Sequence, residues 1–551
     1  MPPKKAKTQR PWQDIAAEAQ DYRASTISQL SPPPPNIPED LPKDVTSVPA
    51  KILDKSILSI TNLAVEELIS LLSSGQLSAV EVTNAFLQQA AVSQGLVNCI
   101  TELLTSQAIK QAQDLDDYFA EHKRPTGPLH GLPISVKEHI GFEGLRCTTG
   151  YVSSWDRIAK EDAHVLQILR DAGAVFHCRT TEPQTMMHLE TDSNLYGVTN
   201  NPYNRNVTSG GSSGGEGALI ALRGSCLGIG SDVGGSIRNP AANCGIYGIK
   251  PTAFRIPTDG WGYTMAGADA IDSVLGPLSS SLSGLKLFMK TVIDAQPWLT
   301  EPAIVPMPWR EFTVPSCRPL RIGVLWHDDI VRPHPPITRG LKMVTEQLKQ
   351  HGVEVVDFPA HLHDEAWAII ASLYFPDGGA WDIEAIESSG EPFRPLSAFI
   401  LKENEIVKEL STGELSYWLE EREVYRKEYA LHWNKFGIDA LLCPVGPGVA
   451  PKHNTAKYWS YTSQWNLLNY PGVVFPVTRV DKNQDVLEKK GKPLSGLDKS
   501  NRDLWDAEEF HGLPVSLQLV GRRFDDEKIL AILEHFIELI GLPMSNLDGE
   551  A

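Results

Sequence analysis

The chain has 551 residues, 42% of them hydrophobic, enough to fill a large buried core. A prior of roughly 150 residues per domain would give three or four domains, although single large α/β units often break it. The formal net charge of −18 argues against nucleic acid or an anionic membrane as partner, because both require clustered Lys and Arg.

Residues 1–60 read as an N-terminal arm. The opening "MPPKKAKTQRPWQD" lacks the apolar stretch of a secretory signal, and Lys4, Lys5 and Lys7 fit either a nuclear address or a solvated tail. A short helical pattern near Trp12–Leu30 runs into "SPPPPNIPEDLP", which cannot lie inside a helix or strand. From Thr61 apolar residues recur at three- and four-residue spacings, with Thr61 and Ser78 placed as N-caps and Gly75 as a break. Three helices are predicted before the first clear strand, Leu132–Glu138 ("LPISVKE").

Beyond it, "HVLQILRDAGAVFHCRTT" reads as helix, turn and strand. Further strands are predicted near Leu320 and after the helix "GLKMVTEQLKQHG", then in "FGIDALLCPVGP", "PGVVFPVTRV" and "LPVSLQLVGRR". "DDEKILAILEHFIELIG" closes the chain as a helix. Strands alternating with helices predict an α/β layered fold. Residues 481–510 are conspicuously polar and read as a surface excursion between two late strands. The seven cysteines are odd in number and form no CxxC pair, which speaks against a disulfide framework or a zinc site and for a reducing, cytoplasmic setting. No apolar run approaches the ~18–20 residues of a membrane span, so no membrane partner is expected.

The densest signal is "GGSSGGEGALIALRGSCLGIGSDVGGSIRNPA", Gly210–Ala241. A phosphate loop would need a Lys after its last glycine, and none follows. A dinucleotide fingerprint fits poorly: Gly228-Ile229-Gly230 begins one, but Gly234 comes a residue late. Two readings stay open, a glycine-rich packing loop and an acyl-transfer site. In the second, consecutive N–H groups of Val233, Gly234, Gly235 and Ser236 would cradle an oxyanion while the Ser236 hydroxyl attacks the carbonyl. A serine nucleophile needs a base. The stretch contains no His. Lys137, inside the apolar strand "GLPISVKEHI", is the other candidate; alternatively it snorkels to water or pairs with Glu138.

Together these segments resemble the amidase signature family. The resemblance rests on Gly210–Gly215, on Gly234–Pro240 ("GGSIRNP") with Asp232 before it, on "GPLHGLPISVKEHI", and on "TTEPQ", "TNNPYN", "GIYGIKPT" and "GLPVSLQLVGRRFDDEKILAILE". It spans roughly residues 60–541 and is similar above all to fungal acetamidase-type and general amidases. It implies the amidase signature fold: a large mixed central β-sheet flanked by many α-helices in a single large domain, residues 61–545. It also implies a Ser–cisSer–Lys triad, with Ser236 as nucleophile, Ser212 as relay after a cis peptide bond, and Lys137 as base. Ser212 lies 24 residues before Ser236, in agreement with the family spacing.

The chemistry is coherent on its own terms. Burial would push Lys137 toward the neutral amine it must be to accept a proton. A Ser212 hydroxyl can donate and accept at once. Asp232 and Arg238 are read as loop supports. Met186, Met187, Gly211, Ser213, Trp261 and Tyr263 are the expected substrate contacts, with Ser213 also read as a support. Trp367, Tyr374 and Phe375 are further aromatic candidates, each equally explicable as core. The expected activity is hydrolysis of small to medium aliphatic or aromatic carboxamides through an acyl-enzyme. Alternatives are a fatty-acid amide or ester hydrolase with the same triad, and a scaffold that kept the fold without catalysis. No cofactor and no metal is required. The expected partner is a small-molecule amide, and a homodimer is the default expectation for a soluble enzyme.

Overall fold

The computed structural model describes residues 10–262, 267–487 and 492–544. Lys4, Lys5, Lys7 and Tyr263 lie outside the described residues. Eleven strands form one mixed sheet. Across it they run Ile100–Leu103, Val175–Thr180, Pro133–Lys137, Leu227–Asp232, Val274–Ser279, Tyr247–Lys250, Gly472–Arg479, Pro514–Val520, Ala440–Pro444, Arg321–Val324 and Glu354–Asp357. Pro133–Lys137 pairs in parallel with both Val175–Thr180 and Leu227–Asp232. At the far end, Arg321–Val324 is parallel to both its neighbours. The middle of the sheet is antiparallel. Parallel strands are covered on both faces, which is why "PISVK" and "LGIGSD" are buried at every position.

The helix Ala79–Val97 packs along this sheet and starts with a capping box. Ser78 Oγ accepts the Glu81 N–H, and the Glu81 carboxylate accepts the Ser78 N–H at 2.9 Å. Thr61 is not an N-cap. It ends the helix Lys55–Thr61, and the next helix, Val65–Ser73, begins after Ala64, whose N–H donates to Glu67 at 3.0 Å. Gly75 does end that helical segment, at φ +70°. The edge strand Ile100–Leu103 precedes the strand expected to be first; at four residues it is too short for an alternation signal.

The arm is docked on the body. Its helix Trp12–Ile27 buries Ile15 and Ala19 against Trp155 and Leu195, and Tyr22 Oη donates to Glu102 at 2.7 Å. A boundary at residue 60 cuts through the helix Lys55–Thr61, which packs on Ala79–Val97. The polar excursion connects Gly472–Arg479 to Pro514–Val520 and carries the helix Gly496–Asp503. Among the described residues no single helix is long and apolar enough to cross a membrane.

Candidate active site

The glycine–serine stretch is mostly regular structure rather than loop. It forms the helix Gly214–Ala221, the strand Leu227–Asp232 and the short helix Arg238–Asn243, all in the interior. Ser236 sits in the turn between that strand and that short helix. Lys137 ends the neighbouring strand, whose Ser135 and Val136 lie opposite Gly228 and Ile229. The carboxyl ends of two parallel strands thus meet at one point, the usual place for ligands in α/β sheets. Ser212 comes to the same point from the segment that starts the helix Gly214–Ala221, and the Gly211–Ser212 peptide bond is cis.

Lys137 is fully buried, and its Nζ is 2.6 Å from Ser212 Oγ and 3.0 Å from Ser231 Oγ. It therefore neither snorkels to water nor pairs with Glu138. Burial pushes its pKa down to about 8, against opposing pulls from Glu182, Asp232 and Glu216. Relative to an ordinary lysine this favours the neutral amine by on the order of 3 kcal/mol.

Ser212 and Ser236 line one cavity of about 130 Å³, without a hydrogen bond between their hydroxyls. Met186, Met187, Trp261 and Tyr374 line it as well, with Val233, Ile271 and Leu373 adding apolar wall.

The nucleophile turn is held from several sides. Asp232 accepts the N–H groups of Gly235 and Ile237 at 2.9 and 3.1 Å, and Arg238 Nε at 3.0 Å. Burial alone would raise the Asp232 pKa, but the Arg238 charge and hydrogen bonds win and bring it down to about 2. Arg238 also donates to the Thr462 carbonyl and to Asn466 Oδ1, at 2.9 and 2.6 Å. Tyr374 Oη donates to the Val233 carbonyl at 2.8 Å, and Thr462 Oγ1 to the Gly234 carbonyl at 2.6 Å. The nest expected from the sequence is thus modified. The Gly235 N–H is tethered to Asp232, which takes it out of the expected donor set of Val233, Gly234, Gly235 and Ser236. Gly235 has φ +135°, and a Cβ there would meet Thr462 Oγ1 at 2.4 Å.

Two expected substrate contacts are not brought to the cavity. The backbone of Glu190 passes so close to Gly211 that a Cβ would come within 2.4 Å of its carbonyl oxygen, and the Gly211 N–H donates to Asn239 at 3.3 Å. Ser213 is fully buried, with its N–H donating to the Ser236 carbonyl at 3.1 Å and its hydroxyl against the Ser231 backbone. Its contacts are thus to backbone on either side of the turn and not to the cavity. Trp367 and Phe375 also stay out of the lining: Trp367 packs on Trp459, and Phe375 belongs to the aromatic core behind Tyr374.

Sequence reasoning missed His139 and Ser231, which both line the cavity and touch each other. The only signal available was proximity: His139 stands two residues after Lys137, and Ser231 one before Asp232.

The Amidase family model matches residues 81–530. An acetamidase of Emericella nidulans is 38% identical over 546 residues, covering 96% of this chain and 98% of the relative. An acetamidase of Aspergillus oryzae is 37% identical, covering 96% and 99%. A solved structure titled fatty acid amide hydrolase superposes with a TM-score of 0.93 at 33% identity, covering 97% of this chain and 95% of that one.

Proposed function

The chain belongs to the amidase signature family of hydrolases acting on amides, and we propose that it is a serine amidohydrolase for small to medium carboxamides, using Ser236, Ser212 and Lys137. The observation that carries this reading is the 2.6 Å contact between a fully buried Lys137 Nζ and Ser212 Oγ on the wall of the cavity that Ser236 lines. A buried amine with its pKa down near 8 is a base at neutral to mildly alkaline pH.

Neutral Lys137 takes the Ser212 proton as Ser212 takes that of Ser236, and Ser236 Oγ bonds to the carbonyl carbon. The carbonyl oxygen gains the negative charge and is met by the N–H groups of Val233, Gly234 and Ser236. As the carbonyl re-forms, the C–N bond breaks, and the leaving nitrogen receives the proton back through Ser212. For a primary amide this releases ammonia. Water then attacks the acyl ester on Ser236, giving up its proton through the same relay; the bond between Ser236 Oγ and the acyl carbon breaks, that proton returns to Ser236 Oγ, and the carboxylic acid departs.

The cavity of about 130 Å³ is small beside the ~300–1,000 Å³ of drug-sized pockets, which fits a short acyl group. A cytoplasmic setting follows from the cysteine pattern read in the sequence. One observation favours a second reading, a long-chain acyl amide. A second cavity of about 420 Å³ is lined by Leu189, Phe399, Val449, Leu497 and Leu504, and Leu189 stands two residues after Met187 of the first cavity's wall. The 33% identity to a protein named fatty acid amide hydrolase points the same way.

The test is to treat the full chain with a fluorophosphonate, map the adduct by mass spectrometry, and then follow amide turnover across an acyl-chain series starting at acetamide. The expected result is an adduct on Ser236 and an optimum among short acyl groups. An adduct on another serine would overturn the nucleophile assignment; an optimum at long chains would select the second reading.

A further inference from the structure

His139 lies two residues beyond Lys137 and is almost fully buried on the cavity wall. Its Nδ1 is 3.2 Å from the Gly262 carbonyl oxygen, and its Nε2 is 3.0 Å from Ser231 Oγ. A carbonyl oxygen only accepts, so Nδ1 carries the proton and Nε2 of the neutral ring is the acceptor. The single Ser231 hydroxyl proton is therefore committed to Nε2. Ser231 Oγ is also 3.0 Å from Lys137 Nζ, and in that contact it can only accept.

A neutral lysine amine has two N–H bonds and one lone pair. One N–H goes to Ser231. The lone pair, which a free Ser231 hydroxyl could have occupied, stays available to Ser212 at 2.6 Å. We propose that His139 is a positioning residue: as the Nδ1–H tautomer it holds Ser231 as an acceptor toward Lys137 and so keeps the Lys137 lone pair aimed at Ser212. This rests on the Ser236–Ser212–Lys137 reading above.

The histidine is well fixed for this task. The Gly262 N–H donates to the His139 carbonyl at 2.6 Å, so the two residues bond each other reciprocally, and the Cys147 thiol donates to the same carbonyl at 3.2 Å. The ring stands 5.5 Å from that of Trp261. Burial, and then the Lys137 charge, hold the imidazole well below its usual range, which keeps it neutral. The charged groups acting on Lys137 itself are the carboxylates of Glu182, Asp232 and Glu216.

The experiment uses the full chain, first checked for fluorophosphonate labelling at Ser236, and then kcat and KM against pH for His139→Ala, His139→Gln, Ser231→Ala and the His139→Ala/Ser231→Ala pair. Thermal unfolding of each variant is recorded alongside. In His139→Ala the freed Ser231 hydroxyl donates to the lysine lone pair. The expected result is a fall in kcat of ~10–100-fold, part of the ~10²–10⁴-fold that general-base catalysis supplies. KM should stay within about twofold, and the acid limb should move to lower pH, because a donor to the lone pair stabilises the neutral amine. His139→Gln, whose Oε1 can stand where Nε2 was, should recover most of the rate. In the Ser231→Ala background, His139→Ala should change nothing further. Unchanged kcat and pH limb in His139→Ala, or an equal loss with and without Ser231, would overturn the proposal. If His139→Ala does not fold, Ser231→Ala and His139→Gln decide it by the same kcat and pH readouts. An unlabelled Ser236 in the parent chain would instead fail the triad reading, a distinct outcome.

Discussion

Arg238 grips Asp232 with two nitrogens, Nε to Oδ2 at 3.0 Å and one terminal nitrogen to Oδ1 at 2.9 Å, and neither side chain is exposed to solvent. Asp232 also holds the Gly235 and Ile237 N–H groups, so one ion pair fixes the turn that presents Ser236. Asp232→Asn should abolish most turnover and destabilise the fold by ~3–5 kcal/mol, since it leaves a guanidinium buried without its counter-charge. Denaturant unfolding with activity measured in parallel checks this.

The same pair gives a pH dependence of stability. The Asp232 pKa lies near 2 in the folded chain against an ordinary 3.8, so its contribution is fully present above about pH 4 and is lost as pH falls through about 2. The expected loss is ~2–3 kcal/mol, read as a difference in acid unfolding between the parent and Asp232→Asn.

The Lys137 pKa is lowered on folding as well, and here the neutral form is the catalytic one. The lysine must be deprotonated to accept a proton, so kcat/KM should rise with pH through about 8 and level off above it. The unfolded lysine keeps its proton to about pH 10.4, so the folded chain binds fewer protons in between, and this group's contribution to stability rises with pH across that window. A kcat/KM profile from pH 6 to 10 tests the first point. A flat profile would remove Lys137 as the base.

Gly235 stands at φ +135° with Thr462 Oγ1 where a Cβ would go. Gly235→Ala should therefore shift the Ser236 turn and lower kcat by ~10²-fold or more, the scale of a misplacement of about 1 Å. Stability should change far less than activity, which a comparison of kcat with the thermal midpoint would reveal.

Met187 forms part of the half-buried cavity wall. Met187→Ala should move the acyl-chain optimum to longer chains, with each accommodated methylene worth ~1–3 kcal/mol in kcat/KM. Competition between two amides of different chain length measures this directly.

Much of the site was legible in the chain itself. Lys137, Ser212 and Ser236 stand inside dense local patterns, and glycines beside a hydroxyl carry a chemical meaning before any fold is known. Ser78 and Gly75 were legible for a similar reason, since a capping box and a left-handed stop are short-range devices. The α/β class followed from strands alternating with helices along the chain. What stayed hidden was contact between distant segments. His139 and Ser231 are 92 residues apart, and only strand pairing sets the end of Pro133–Lys137 beside that of Leu227–Asp232. The tautomer argument depends on Gly262, another 123 residues from His139. Gly211 and Ser213 stand beside Ser212 in sequence, yet the Glu190 backbone and the buried Ser231 strand claim them. Sequence determined which chemical groups the protein carries and the local shapes around them. The tertiary structure decided which of those groups share a cavity, because burial, proton direction and hydrogen-bond partnership belong to the packed sheet and not to neighbours along the chain.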